Sequence, residues 1–569
     1  MSLFGTMLQR ANGFSRLAPI LVLSLVLNVW GNDWGASKVW HPDELTPRAF
    51  TMFATRTVNP HYFTYGGLHY YVIAIGAIVP VYLLARLFDP PPPRDDIDGR
   101  AKWWEQRLMP RIVVAARVIA AVLSSSVVCI TFIIGNLLFS RTVGYLAALF
   151  LTVSMSFVAV AHFATVDSPT NFWYWLSCLF ALLIWKRGDR LWYILAALTA
   201  GFAIGIKVDR AVILIPFLLS HFFRGEGVHF RRLITFATFV PAGYLLSNPV
   251  IFTAPFEFLD GFTRDMFYQA LKGWGPEGSS YTQVLREMKS GLGLPLFVAA
   301  IGGVAYGFYK LVSNRNPAPT LWLTMTILPY YLIFGATSVQ SWYLPFFFPA
   351  LMILAAHCFD ELMIKLPKPY ATAAKCAIGG LVGYSLIYTI ALVLQFSNDS
   401  RYLAADWVER NAPEKAMIEV GERGPIISEN KYQILNSLRD DETNDYARNN
   451  RENLERFGLY QKVRRMVLNF EQWMGQNFGL QVRKQAYIEW FDNLGQGNKS
   501  STELRPVIPP ADYVVLIEDL YQRKLSDLSA PNSGYRLVAR FQFVDPFGIQ
   551  PVFDFINPAV YIFKHAGIG

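Results

Sequence analysis

Apolar runs of membrane length follow one another from residue 14 to residue 395, and nothing else constrains this chain as much. A bilayer core about 30 Å thick needs about 20 apolar residues per helix. Within that core every backbone polar group must bond inside the protein. Such runs fall near residues 14–31, 111–139, 142–162, 169–186, 191–206, 210–223, 233–250, 291–311, 318–337, 343–364 and 371–395. The expected fold class is an α-helical polytopic membrane protein, with about eleven spans of this length and further interfacial helices. Composition agrees: of 569 residues 53% are hydrophobic and 16% charged, where soluble domains carry roughly 25% charge. The run Leu17 to Trp30 follows Arg10 and Arg16 and has no small-residue cleavage site after it. It reads as a retained first helix.

Lys and Arg in short loops set orientation. The basic short connections are Arg141, Lys186 to Arg190, Arg224 to Arg232, Lys310 to Arg315, and Lys365 to Lys368. One further apolar segment, Tyr70 to Phe88, decides their side. If it does not cross, all five connections share the side of the N-terminus; if it crosses, all five flip. The segment is therefore expected on the outer face, lying in or dipping into the interface and turned back by Pro80 and Pro90 to Pro93. The same parity gathers residues 31–110, the loops at Asp167 and Lys207, residues 251–290 and the loop Ser338 to Tyr343 outside. The net charge of +9 then belongs to cytoplasmic loops. No basic stripe with interleaved aromatics points to nucleic acid, and the expected surroundings are a lipid bilayer. Cys129, Cys178, Cys358 and Cys376 lie in apolar runs without CxxC spacing, which excludes a disulfide framework and a zinc site of usual spacing.

After residue 397 the composition turns polar. Residues 398–569 are expected to form a soluble α/β domain outside the membrane, beyond a membrane module of residues 1–397. Ala416 to Val420, Tyr513 to Ile517, Tyr535 to Phe543 and Pro558 to Lys564 read as strands, and Tyr432 to Phe478 mostly as helix. The sequons at Asn398 and Asn498 matter only in a glycosylating compartment.

The candidate chemistry lies in the outer loops. His41-Pro42-Asp43-Glu44 sets two carboxylates about a dozen residues past the first span. Partial desolvation there raises a carboxylate's pKa and makes it a better base. The same pattern suits a helix start, with Pro42 opening it and the acids in its first turn; the two readings are compatible. Asn59 to Tyr71 is dense in aromatics and His, including Tyr65 and His69. Such residues stack on sugars or form an interfacial belt. Asp167 between two spans is a functional candidate or a cap of the helix that follows. Lys207 holds a lipid phosphate or snorkels and pairs with Asp209. The forty-residue loop at 251–290 carries Arg264, and Trp342-Tyr343 opens a later span.

These residues, in this order, resemble the GT-C superfamily of membrane glycosyltransferases, and within it the protein mannosyltransferase-like group (glycosyltransferase family 39) and its bacterial relatives. The carrying motifs are His41-Pro42-Asp43-Glu44, Phe63 to Tyr71, Asp167 before a span, Gly205-Ile206-Lys207, Asn248-Pro249, Tyr343-Leu344-Pro345 with Pro349-Ala350, and Asp399-Ser400-Arg401-Tyr402 to Trp407. They cover about residues 15–410. The resemblance implies a transferase that moves a sugar from a polyprenyl-phosphate carrier to an acceptor glycan, lipid or protein, with inversion, in a bacterial inner or plasma membrane. It implies Asp43, with Glu44 beside it, as the catalytic acidic position. His41, Tyr65, His69, Asp167, Lys207, Arg264, Trp342 and Tyr343 are the expected substrate-binding residues. No cofactor is required, and a divalent cation would sit between Asp43 and Asp167. Relatives often carry Arg where Trp342 stands, and those of the lipid A aminosugar type carry Glu-Lys-Pro-Pro at Thr64-Tyr65-Gly66-Gly67. A transporter or lipid flippase would instead need ionisable residues near mid-membrane and inverted repeats. A non-catalytic scaffold displaying residues 398–569 would tolerate loss of Asp43.

Overall fold

A computed structural model describes residues 11–435 and 510–567, apart from 94, 226, 228, 274–280, 314–316, 337–340, 422, 519–520, 545–552 and 554; between the two blocks only Arg465 is described. Every apolar run named above is met by helix. In chain order these are α1 (Ala11–Val29), α2 (Thr46–Thr55), α3 (Leu68–Phe88), α4 (Ile97–Leu138), α5 (Arg141–Thr152), α6 (Met155–Ala161), α7 (Asp167–Arg187) and α8 (Arg190–Ile206). A 3-10 turn at Val208–Ile213 leads into α9 (Leu214–Phe223), followed by α10 (Phe230–Ser247), α11 (Val250–Thr253), α12 (Pro255–Gly273) and α13 (Tyr281–Leu292). Then come α14 (Leu294–Val312), α15 (Pro317–Ala336), α16 (Ser341–Lys365), α17 (Lys368–Ser397) and α18 (Ser400–Asn411). By length and composition five helices among the described residues can cross a membrane, and six if the α5–α6 pair, bent by 65°, is one broken span.

Helix ends follow local chemistry. Ser140 caps α5, its hydroxyl accepting from the Val143 N–H at 3.1 Å and donating to Asp360 at 2.7 Å. Gly188 closes α7 in the left-handed conformation, at φ 72°, which glycine adopts without a Cβ clash. The α8–α10 pair packs through glycine: a Cβ on Gly201 would lie 2.3 Å from the Val240 carbonyl oxygen. Without a hydrophobic drive between helices in lipid, such close backbone approach supplies the attraction.

The helix α3, expected to turn back at Pro80, does not. It runs unbroken for 21 residues with a mean hydropathy of 2.0 and is long enough to cross by that measure. Its middle is a π-helical turn, Ala74–Ile78, and Pro80 sits at the start of the α-helical part beyond it. The wider turn makes room for the proline ring and for the hydrogen bond that proline cannot donate. Ile75, Leu83, Leu84, Leu87 and Phe88 leave one flank of α3 bare.

The C-terminal residues form a five-stranded sheet of order β2-β1-β3-β5-β4, where β1 is Met417–Val420, β2 Gln433–Leu435, β3 Tyr513–Ile517, β4 Tyr535–Phe541 and β5 Val560–His565. The β2, β1 and β3 strands run parallel, and β5 is antiparallel to β3 and β4. All five residues of β3 are buried, as a strand covered on both faces requires. Four strands stand where the sequence places them. The fifth corrects it: residues 433–435, expected as helix, pair with β1. The rest of that expected helix, residues 436–478, and the sequon at Asn498 lie outside the described residues.

This domain is tied to the loop after α1 by a buried clasp. Asp399 accepts from the Trp34 indole at 2.9 Å and the Asn557 amide at 2.8 Å, and takes both arms of Arg401 at 2.8 Å each. Arg401 also donates to the Phe555 carbonyl at 3.0 Å and lies 3.7 Å over the Trp40 ring. The Trp40 indole in turn donates to the Gly424 carbonyl at 3.1 Å.

Candidate active site

The loop after α1 carries the first site residues. Pro42 does not open a helix here. The segment is a turn, and α2 begins only at Thr46. Asp43 is half-buried. Its backbone N–H donates to His41 Nδ1 at 3.0 Å. His41 is buried, its ring 4.3 Å from Phe163 and 4.7 Å from Phe555. Burial first, and then the Arg117 and Arg423 guanidiniums, hold the imidazole well below its usual pKa. The ring is neutral, and because Nδ1 accepts, its proton is on Nε2.

Glu44 has a different place from the one expected. Its side chain is fully buried, 2.6 Å from Arg117 Nε. The same carboxylate oxygen accepts from the Ala164 N–H at 3.3 Å. Arg117 goes on to the carbonyls of Asn32, at 2.9 Å, and Trp34, at 2.5 Å. Glu44 thus ties α4, the loop after α1 and the approach to α7 together. With no exposed side-chain surface it cannot meet a substrate hydroxyl, which corrects its expected catalytic role.

Asp167 is the first residue of α7, so it serves the helix as a first-turn acid and not as its cap. Thr165 donates to its Oδ2 at 3.2 Å and Lys207 Nζ to its Oδ1 at 2.7 Å. The Lys207 and Asp167 side chains are 12% and 11% exposed, a pair open at one edge. The Lys207 ammonium lies 4.6 Å from the Tyr343 ring centre and 5.9 Å from that of Tyr65. The expected Lys207–Asp209 pair is not formed, because Asp209 pairs with Arg210 at 2.9 Å. The Tyr65 hydroxyl is pushed well above its usual pKa by burial, then by the Asp43 carboxylate, with Asp167 a further contributor. Tyr65 is therefore a protonated donor within the fields of both carboxylates.

Tyr65 is held there by backbone docking. The Gly66 N–H donates to the Ile206 carbonyl at 3.1 Å and the Gly67 N–H to Asn248 Oδ1 at 2.9 Å. Asn248 Nδ2 donates in turn to the Gly205 carbonyl at 3.1 Å. A Cβ on Gly66 would fall 1.5 Å from that carbonyl oxygen, so only glycine lets the two loops touch. Farther along, Glu257 at the start of α12 holds Asn59 Nδ2 at 2.7 Å and His61 Nδ1 at 2.6 Å.

The structure therefore gathers Asp43, Tyr65, Asp167, Lys207 and Tyr343 from separate segments. Trp342 flanks them, 6.0 Å from Tyr343, 5.8 Å from Phe553 and 6.1 Å from Phe555, ring to ring. His69, in the first turn of α3, is buried with both ring nitrogens lacking a hydrogen-bond partner. Arg264 lies half-buried on α12. Sequence reasoning missed Arg117, Phe163 and Phe555. The signal for Arg117 was its position inside an apolar run; two phenylalanines among 43 carried none. At the place expected for a shared cation, the Lys207 ammonium takes one oxygen of Asp167, and among the described residues no group of three or more His, Cys, Asp or Glu could hold a metal ion.

Residues 104–252, which run from α4 past Lys207 to Asn248, match the family model of the dolichyl-phosphate-mannose-protein mannosyltransferases. No curated protein matches the chain. Among solved structures, ArnT from Cupriavidus metallidurans bound to undecaprenyl phosphate is 12% identical over 96% of this chain and 97% of its own, with a TM-score of 0.48. The oligosaccharyltransferase AglB from Archaeoglobus fulgidus, in complex with an inhibitory peptide and a dolichol-phosphate, is 12% identical over 71% of this chain and 59% of its own, with a TM-score of 0.44. The mycobacterial arabinofuranosyltransferase AftD is 14% identical over 96% of this chain and 40% of its own, at 0.41. The family match falls on the segment that supplies Asp167 and Lys207, and the chain is similar there to the GT-C membrane glycosyltransferases that its motifs resemble.

Proposed function

We propose that this protein is an inverting glycosyltransferase that moves a sugar from a polyprenyl-phosphate carrier to an acceptor hydroxyl or comparable nucleophile at the extracytoplasmic face. The observation that carries the reading is the Lys207–Asp167 pair, 2.7 Å apart and open at one edge, with the Tyr343 and Tyr65 rings 4.6 and 5.9 Å from its ammonium; the Asp43 carboxylate acts on the same Tyr65 hydroxyl. Asp43 takes the proton of the acceptor hydroxyl as its oxygen attacks the anomeric carbon. The bond from that carbon to the phosphate oxygen breaks, and the carrier phosphate leaves with the electron pair. The ammonium of Lys207, shared with Asp167 in the resting protein, turns to the leaving phosphate, and Tyr65 donates to the same charge. A half-exposed carboxylate can act as a general base on a bound hydroxyl, and a cation brought to the developing charge lowers the barrier. Tyr343 and Trp342 give the sugar an aromatic wall.

The charge pattern of the short connections supports an outward-facing site, with α3 at the outer interface and the domain of residues 398–569 above the module of residues 1–397. The carrier's tail then stays in the bilayer while its head reaches the site. The sugar is a hexose or pentose in this reading, and the acceptor a glycan, lipid or protein.

Sugar transfer is measured in membranes holding the wild type or Asp43→Asn at matched expression, with labelled polyprenyl-phosphate sugars as donors. Product with the wild type and none with the variant is the expected result. Equal transfer by both removes Asp43 as the base, and no transfer by the wild type from any donor overturns the reading.

A further inference from the structure

We infer that His41 is a positioning residue for Asp43 and that the C-terminal domain, through Phe555, is what keeps it in position. The inference rests on the function proposed above and adds a residue and a domain to its site. Asp43 sits in a turn, outside any helix or strand, so regular backbone bonding does not fix it. Its backbone N–H donates to the residue two before it, His41 Nδ1 at 3.0 Å. That is the geometry of a side chain closing a turn on its own backbone.

An imidazole does this only while neutral, and two guanidiniums together with burial keep it so. It also does so only if the ring cannot swing. Two rings hold it: Phe163, just before α7, at 4.3 Å, and Phe555 of the C-terminal domain at 4.7 Å, edge to face at 79°. Phe555 is itself anchored, its carbonyl bound by Arg401 at 3.0 Å and its neighbour Asn557 by Asp399 at 2.8 Å. A path of direct contacts therefore runs from the buried Asp399–Arg401 pair through Phe555 to His41 and the amide of Asp43. A displacement of about 1 Å in a catalytic group lowers turnover about 10²-fold, so loosening any step of this path acts on turnover.

Two variants of His41 separate its two contacts. In His41→Asn the amide oxygen occupies the place of Nδ1 and still accepts from Asp43, while the ring packing is lost. In His41→Phe the packing is kept and the acceptor is lost. On the purified full-length protein, His41→Phe is expected to lower kcat by about 10–100-fold with KM for the carrier-linked sugar within about twofold, and His41→Asn to recover most of the loss. Phe555→Ala is expected to lower kcat as His41→Phe does. Amide hydrogen exchange of the peptide carrying Asp43 is read beside it and needs no turnover. Faster exchange in His41→Phe and Phe555→Ala, but not in His41→Asn, is the expected result. If Asp43→Asn abolishes transfer but His41→Phe keeps full kcat and wild-type exchange, the positioning is overturned and the proposed function stands. If exchange follows the expected order but no donor is used by the wild type, the function is overturned and the positioning stands.

Discussion

Removing the guanidinium of Arg117 should destabilise the centre of the structure without removing any atom of Asp43. Arg117 and Glu44 are both fully buried, 2.6 Å apart. In Arg117→Met the Glu44 carboxylate keeps only the Ala164 N–H, at 3.3 Å. The carbonyls of Asn32 and Trp34 lose their guanidinium donor as well. Breaking a buried pair from one side costs about 3–5 kcal/mol, because the remaining charge is stranded. Glu44 escapes part of this by taking up a proton, but the two carbonyls do not, at about 1–3 kcal/mol for each orphaned group. The expected loss is therefore about 3–5 kcal/mol. Removing both partners, as Arg117→Met with Glu44→Leu, abolishes the stranded charge and should leave only the share of the two carbonyls, about 2 kcal/mol at about 1 kcal/mol each. Equilibrium unfolding in mixed micelles of the wild type, Arg117→Met, Glu44→Leu and the double variant closes a double-mutant cycle. A single variant that loses under about 1 kcal/mol, or a double variant worse than the single, would refute the account of Glu44 as a structural anchor. Activity gives a second check. If Glu44 supplied chemistry, Glu44→Gln would lose turnover while unfolding like the wild type; the structure expects the two losses to travel together.

Lys207→Met should lower kcat/KM for the carrier-linked sugar by about 10–100-fold, the worth of one charged hydrogen bond to phosphate, with Lys207→Arg close to wild type; an unchanged kcat/KM removes Lys207 from the phosphate site. Gly66→Ala drives a methyl group into the Gly205 carbonyl and should lower stability by about 1–3 kcal/mol, read as a lower unfolding midpoint with the Tyr65 loop displaced. The His61–Glu257 pair should weaken as pH rises. The hydrogen bond to Glu257 raises the His61 pKa, so its contribution is whole below the ordinary histidine value and fades as pH climbs through the raised one. At a half-exposed pair this is worth about 0.2–1 kcal/mol. Hydrogen-exchange protection around residues 57–63, corrected for the intrinsic rise of exchange with pH, should fall across that window in the wild type and stay flat in His61→Gln.

The apolar helices were legible because a helix in lipid must bond its own backbone, so its sequence has to be apolar throughout; their number as spans was not, since about eleven were expected and five or six of the described helices are long and apolar enough to cross. The strands at residues 417–420, 513–517, 535–541 and 560–565 were legible for a similar reason, as short β-branched and aromatic runs. What failed was choice among partners. Asp43 and Glu44 are adjacent and chemically alike, and only the arrival of Arg117, 73 residues on, separates an open carboxylate from a sealed one. Lys207 had Asp209 two residues away but takes Asp167, 40 residues back, because Asp209 goes to Arg210. Residues 433–435 carry little strand propensity of their own and are recruited by β1. Proline at 80 normally marks the end of a helix, and nothing local foretold the π-helical turn before it.

The clasp on Asp399 also sets an order of events during biosynthesis. Trp34 meets Asp399 across 365 residues, and Asp399 meets Asn557 across a further 158. Contacts so distant in sequence form late, after the local ones. The helices can insert as they emerge, but the turn bearing Asp43 stays unfinished until residues 555–557 have been made and folded back. A chain that stopped short of that point would carry the helices without the clasp, so residues 555–557 decide when the first loop is finished.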